Sequence, residues 1–171
     1  MSTAEHRDKA AGQVARCAVL TISDTRTEET DKGGRVIIDA LEAAGHAIVD
    51  YHIVKDETTE IEPQLRAWLA PKSNAAPDAI FTTGGTGIAR RDTTVEVVAR
   101  LLDKPLEGFG ELFRMLSWDQ VGAAAMLSRA VAGLAGETLI FTMPGSTAAV
   151  DLAMSRLIVP ELPHLIWERR R

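Results

Sequence analysis

The chain has 171 residues, 46% of them apolar, enough for one packed core without calling for a second domain. Its 24 acidic residues outnumber 19 basic ones, and the formal charge of -5 argues against a broad nucleic-acid or anionic-membrane surface, so any phosphate must be met locally. Cys17 is the sole cysteine, which excludes an intramolecular disulfide and a cysteine-based zinc site and fits a reducing, cytoplasmic setting.

Residues 1–15 carry charges among small residues and no apolar signal-peptide core. They read as a flexible tail before one domain spanning residues 16–171. No apolar stretch is long enough to cross a bilayer. Residues 17–22 (CAVLTI) read as a first strand, buried on both faces, ending at Ser23-Asp24. Residues 36–44 place Ile37, Ala40, Leu41 and Ala44 on one helical face, with Gly45 where a helix end tolerates the left-handed conformation. Residues 46–54 supply a second strand. Ile61, Leu65, Trp68 and Leu69 then mark a second helix with Pro63 expected in its opening turn.

Residues 79–82 (AIFT) form a third strand. A glycine-rich loop follows, and Thr93-x-x-Glu96 has the pattern of a capping box opening a helix with Val95, Val98, Ala99 and Leu102 inward. Phe109, Leu112, Phe113 and Leu116 make a further helical stripe, and residues 121–127 a helical stretch of small residues. Residues 138–143 (TLIFTM) are a fourth strand, broken by Pro144-Gly145-Ser146, and Val150, Ala153, Met154, Leu157 and Ile158 carry the last long helix. Strands alternating with helices imply an α/β fold with a mainly parallel sheet covered on both faces. Such sheets bind ligands beyond the carboxyl ends of their strands. If all four strands are parallel, Ser23-Asp24, Asp56-Glu57, the glycine loop and Pro144-Gly145-Ser146 share one rim.

Gly84, Gly85 and Gly87 remove Cβ atoms where the chain leaves a strand, so backbone N–H groups can surround phosphate oxygens, with Thr83 and Thr86 adding hydroxyls. A tight strand-to-helix turn without a ligand accounts for the same glycines. The spacing is neither a Walker loop nor GxGxxG. Arg90, Arg91 and Asp92 follow at once; Asp92 suits Mg²⁺ held against phosphate oxygens, or simply a carboxylate at a helix start. Asp56 is either an ordinary turn acid or a second acid of the rim. His6, His46, His52 and His164 make no i, i+4 pair, which argues against a histidine-based hydrolase, and no G-x-S-x-G elbow is present. Transfer to an existing phosphate would need alignment and charge neutralisation more than a base.

The segments LTISD (20–24), TTGGTGIARRD (82–92), EGFGELFRMLS (107–117), LSRAVAG (127–133) and TLIFTMPGST (138–147), in this order, resemble the MoaB/Mog family of molybdenum cofactor biosynthesis proteins, related to the G domain of gephyrin. The match runs over nearly the whole chain, and the wording is closest to the MoaB branch. The resemblance implies a three-layer α/β/α sandwich with one antiparallel edge strand. It also implies molybdopterin binding and, in active members, transfer of AMP from MgATP to the molybdopterin phosphate, with Mg²⁺ as cofactor. The two aspartates that active members need match Asp56 and Asp92, which would be both catalytic and metal-binding. Thr83, Gly84, Gly85, Thr86 and Gly87 would lie along the ligand, with Ser23, Ser117, Ser128, Gly145 and Ser146 as further lining residues. A homotrimer or homohexamer, with part of the Phe109, Phe113 and Leu116 stripe between subunits, and other proteins of the pathway as partners, are implied as well. Val95 replaces a frequent proline, and Met143 with Ser146-Thr147 replaces the usual Leu-Pro-Gly-x-Pro. Besides the adenylyltransferase, a molybdopterin carrier without chemistry and a purely structural oligomeric module remain open on the residues.

Overall fold

A computed structural model describes residue 10, residues 12–70 and residues 76–169. Most of the tail expected over residues 1–15 lies outside the described residues. The elements run β1 (Arg16–Ile22), α1 (Lys32–Ala43), β2 (Ala47–Val54), α2 (Thr58–Leu69), β3 (Ala79–Thr83), α3 (Thr94–Leu101), β4 (Lys104–Pro105), α4 (Glu107–Val121), a 3₁₀ turn (Gly122–Leu127), β5 (Val131–Ala135), β6 (Thr138–Met143), α5 (Thr147–Ala153), a π turn (Met154–Ile158) and α6 (Val159–Arg169). The sheet order is β2-β1-β3-β6-β5-β4.

The four strands expected from sequence are mutually parallel. The pleat sends their side chains alternately to two helical layers. Cys17, Val19, Phe81 and Phe141 face α1, α4, α5 and α6, whereas Ala18, Leu20, Ile80 and Ile140 face α2 and α3. On the first face Phe141 stacks on Phe81 at 5.5 Å and takes the edge of Phe109 at 5.4 Å, spacings that favour aromatic pairs. Both faces of the central strands are therefore dry, which is why β1, β3 and β6 read as continuous apolar runs.

Several expectations are corrected. The antiparallel edge that the resemblance implies holds two strands, not one: β5 runs antiparallel to β6, and the two-residue β4 antiparallel to β5. The sequence VAGLA lacks the β-branched density of a central strand and carries little strand signal of its own; β5 forms because the edge of β6 needs hydrogen-bonding partners. Helix α1 starts four positions before the expected residue 36, because the Asp31 side chain accepts from Gly34 N–H and caps it. Its far end is as expected: Gly45, at φ +83°, and His46 donate to Glu42 and Leu41 carbonyls. Pro63 falls in the second turn of α2, not the first, since the helix already begins at Thr58. The inward face of α3 is Thr94, Val97 and Val98; Ala99 is exposed. The last helix continues well past Ile158 through the π turn, which widens the coil just ahead of Pro160, a residue with no N–H to offer the preceding turn.

Candidate functional site at the carboxyl ends of the strands

Strand β1 lies between β2 and β3, so the chain winds away from it in both directions and leaves a crevice where the carboxyl ends of β1 and β3 diverge. The glycine loop enters that crevice. Gly84 adopts φ +102°, and a Cβ there would overlap the Ile22 carbonyl oxygen at the end of β1. Gly85, at φ +63°, presses against Thr94 Oγ1 and would put a Cβ 2.9 Å from Asp56 Oδ1. A Cβ on Gly145 would stand 3.3 Å from Gly84 Cα, and Thr83 Oγ1 donates to the Pro144 carbonyl at 3.0 Å. The loops after β3 and β6 therefore touch.

Four carboxylates, those of Asp24, Asp56, Glu57 and Asp92, converge beside this loop. The Asp56 N–H donates to Asp24 Oδ1 at 3.3 Å, and Arg91 reaches both Asp24 (3.0 Å) and Glu57 (2.9 Å). Asp92 Oδ2 accepts from Ala89 N–H at 2.7 Å and sits against Gly87, where a Cβ would lie 2.5 Å away. Burial first, and then the Asp92 and Asp24 charges, raise the Asp56 pKa above the ordinary 3.8, with Arg91 opposing. Asp56 Oδ1 is buried with no hydrogen-bond partner. Among the described residues no three His, Cys, Asp or Glu side chains form a preassembled metal cage. Hard oxygens under mutual repulsion, one of them unpartnered, nonetheless suit Mg²⁺, which takes only one or two carboxylates when it arrives with phosphates.

A cavity of about 330 Å³ opens on the other side of the loop, lined by Thr86, Gly87, Ser117, Ser128 and Ser146. Its hydroxyls are differentiated. Ser117 Oγ donates to the Phe113 carbonyl at 2.7 Å, leaving lone pairs to accept. Ser128 and Ser146 accept from Ala130 and Ala149 N–H groups, leaving each O–H free to donate. Ser23 is not brought here: its oxygen accepts from Thr25 and Arg26 N–H groups, and it borders a separate surface cavity of about 420 Å³ with Asp24, Tyr51 and Lys55. Thr83 is buried beneath the loop.

The family described as "Probable molybdopterin binding domain" matches residues 18–164. The chain belongs to the MoaB/Mog family. Molybdenum cofactor biosynthesis protein B of Bacillus cereus is 50% identical over 100% of this chain and 99% of that protein. A crystal structure of a molybdenum cofactor biosynthesis protein B superposes with TM-score 0.88 at 49% identity, covering 94% of this chain and 99% of that one. The tungsten cofactor synthesizing protein MoaB from Pyrococcus furiosus superposes with TM-score 0.80 at 37% identity, covering 94% and 100%.

In this MoaB/Mog chain the expected capping box does not form. Thr93 Oγ1 is engaged with Thr58 Oγ1 at 3.1 Å, and Glu96 pairs with Arg129 instead of reaching back, a charge-assisted contact stronger than a cap. Arg129 donates to the carbonyls of Thr86 (3.2 Å) and Asp92 (2.9 Å). It stands next to Ser128 in the LSRAVAG segment, but nothing local to that segment shows that its side chain crosses to the glycine loop. Asp31 carries no motif in the sequence, yet it is buried and accepts from Thr21 Oγ1 (2.5 Å), Tyr51 OH (2.7 Å) and Gly34 N–H (3.0 Å). Burial pushes the Cys17 thiol up to about 12, which removes it from any nucleophilic role at neutral pH. Phe109 and Phe113 are core residues, and the large apolar side chains that α4 exposes are Leu112, Met115, Trp118 and Val121. Among the described residues no helix is long and apolar enough to cross a membrane.

Proposed function

We propose that this family member is a molybdopterin adenylyltransferase of molybdenum cofactor biosynthesis. The observation that carries the reading is Asp56 with its buried, unpartnered Oδ1, facing Asp92 and Asp24 beside a glycine loop at the switch point of the sheet. A molybdopterin phosphate oxygen attacks the α-phosphorus of ATP, the bond to the β-phosphate oxygen breaks, and pyrophosphate leaves. Asp92 and Asp56 would hold Mg²⁺, whose chemistry is to neutralise phosphate charge. The backbone around Gly84, Gly85 and Gly87 aligns the phosphates at the crevice, and no protein base is required because a phosphate with a second pKa of about 6 is already an anion. Ser117, Ser128 and Ser146, with Thr86, offer the mixed donors and acceptors that a pterin ring needs. Exposed Leu112, Met115, Trp118 and Met126 support association of several copies into a trimer or hexamer.

The test is Mg²⁺-dependent pyrophosphate release with molybdopterin and ATP. Asp92→Ala is expected to lower the rate by about 100-fold or more. Equal rates in the two proteins refute the role of Asp92. Pterin binding without pyrophosphate release identifies a carrier instead.

A further inference from the structure

The loop from Thr86 to Asp92 buries no large apolar anchor. Ile88 is 74% exposed, and Gly87, Ala89, Arg90 and Arg91 are exposed as well. Within it Ala89 N–H donates to the Asp92 carboxylate and Asp92 N–H to the Ala89 carbonyl at 3.0 Å. Outside these bonds the loop is held by exposed Arg91 ion pairs to Asp24 and Glu57, and its base by the Thr94 N–H donating to the Gly85 carbonyl at 3.1 Å. One further side chain clasps both ends of the neck. Arg129 Nε donates to the Thr86 carbonyl and Nη2 to the Asp92 carbonyl, so a single guanidinium spans the first and last residues of the loop. Glu96 on α3 grips the same guanidinium through Nη1, and that hydrogen bond holds the Glu96 carboxyl below the ordinary carboxylate range. The Arg129 backbone follows Ser128, a wall of the serine-lined cavity.

We infer that Arg129 is a positioning residue: by bridging the Thr86 and Asp92 carbonyls it sets the spacing between the glycine loop, with the cavity it borders, and the Asp92 carboxylate. As a statement about catalysis it rests on the adenylyltransferase reading. The fork is the essential property. A lysine keeps the charge but presents one compact ammonium, which cannot occupy both carbonyls in the planar arrangement of a guanidinium. A residue that merely attracted anionic substrate would be replaceable by lysine, whereas a tether would not.

The experiment compares the full chain with Arg129→Lys and Arg129→Ala by hydrogen exchange of the 86–92 segment, thermal unfolding and pyrophosphate release. Both variants are expected to exchange the loop amides about tenfold faster with the sheet unchanged. Both should lose about 10- to 100-fold in kcat, as for a displaced catalytic group, with the lysine giving no rescue. Wild-type exchange in either variant, or wild-type kcat in Arg129→Lys, overturns the inference. So does faster exchange throughout the sheet, which would make the role one of general stability. Should the wild type release no pyrophosphate, the adenylyltransferase reading fails by itself. The tether is then judged by molybdopterin affinity alongside exchange, and unchanged affinity in both variants overturns it.

Discussion

Gly85→Ala offers the sharpest check on the packing of the site. The new methyl group meets two separate costs. At φ +63° an L-residue is strained by roughly 1–2 kcal/mol. The methyl also overlaps Thr94 Oγ1 and approaches Asp56 Oδ1 to 2.9 Å, both in buried surroundings, which adds about 1–3 kcal/mol of overpacking. The total is about 2–5 kcal/mol. Thr94→Ala separates the costs. That hydroxyl is buried without a partner, so deleting it is close to neutral or slightly stabilising. In its absence Gly85→Ala should keep the backbone strain and lose most of the overlap, giving a coupling of about 1–3 kcal/mol. Urea unfolding of the two single variants, the double variant and the wild type measures it. An identical cost of Gly85→Ala in both backgrounds would refute the argument that Thr94 closes the space beside the loop.

Asp56→Asn should stabilise the fold at pH 7. The raised Asp56 pKa means the folded state holds this proton more tightly than the unfolded chain, so its contribution is fully present below 3.8 and lost as pH rises through the folded value. The gain in Tm over wild type should therefore vanish below about pH 3.8, and a gain independent of pH would contradict the assignment. Asp31→Ala removes a helix cap and the acceptor of two hydroxyls, and should cost about 2–4 kcal/mol in chemical denaturation. A loss below 1 kcal/mol, roughly what an exposed cap is worth, would show the cluster is not cooperative. Trp118→Glu with Met126→Glu should shift the chain to monomers in sedimentation equilibrium, because these exposed side chains form the apolar surface proposed for self-association. An unchanged mass would place the interface elsewhere.

What the sequence determined by itself is local and periodic. CAVLTI, AIFT and TLIFTM announce buried parallel strands because both faces of each are dry, and Gly45 announces the end of α1 because few residues tolerate its φ. The glycine loop was legible for the same reason: Gly84 and Gly85 stand where only a hydrogen fits. Even so, those residues alone spoke only of an anion or a tight turn, and the pterin and nucleotide entered through resemblance across the whole chain. Tertiary structure alone decided the rest. It drew β5 and β4 into the sheet, turned Glu96 from a cap into a partner of Arg129, moved Ser23 out of the serine-lined cavity and left Asp56 with a buried, unpartnered oxygen. The Glu96–Arg129 pair spans 33 residues and the Arg129–Thr86 contact 43, separations at which nothing in the linear order marks a partner. Hydrogen bonds and desolvation act through space, so a chain read in order shows the donors and acceptors but not which of them the fold brings together.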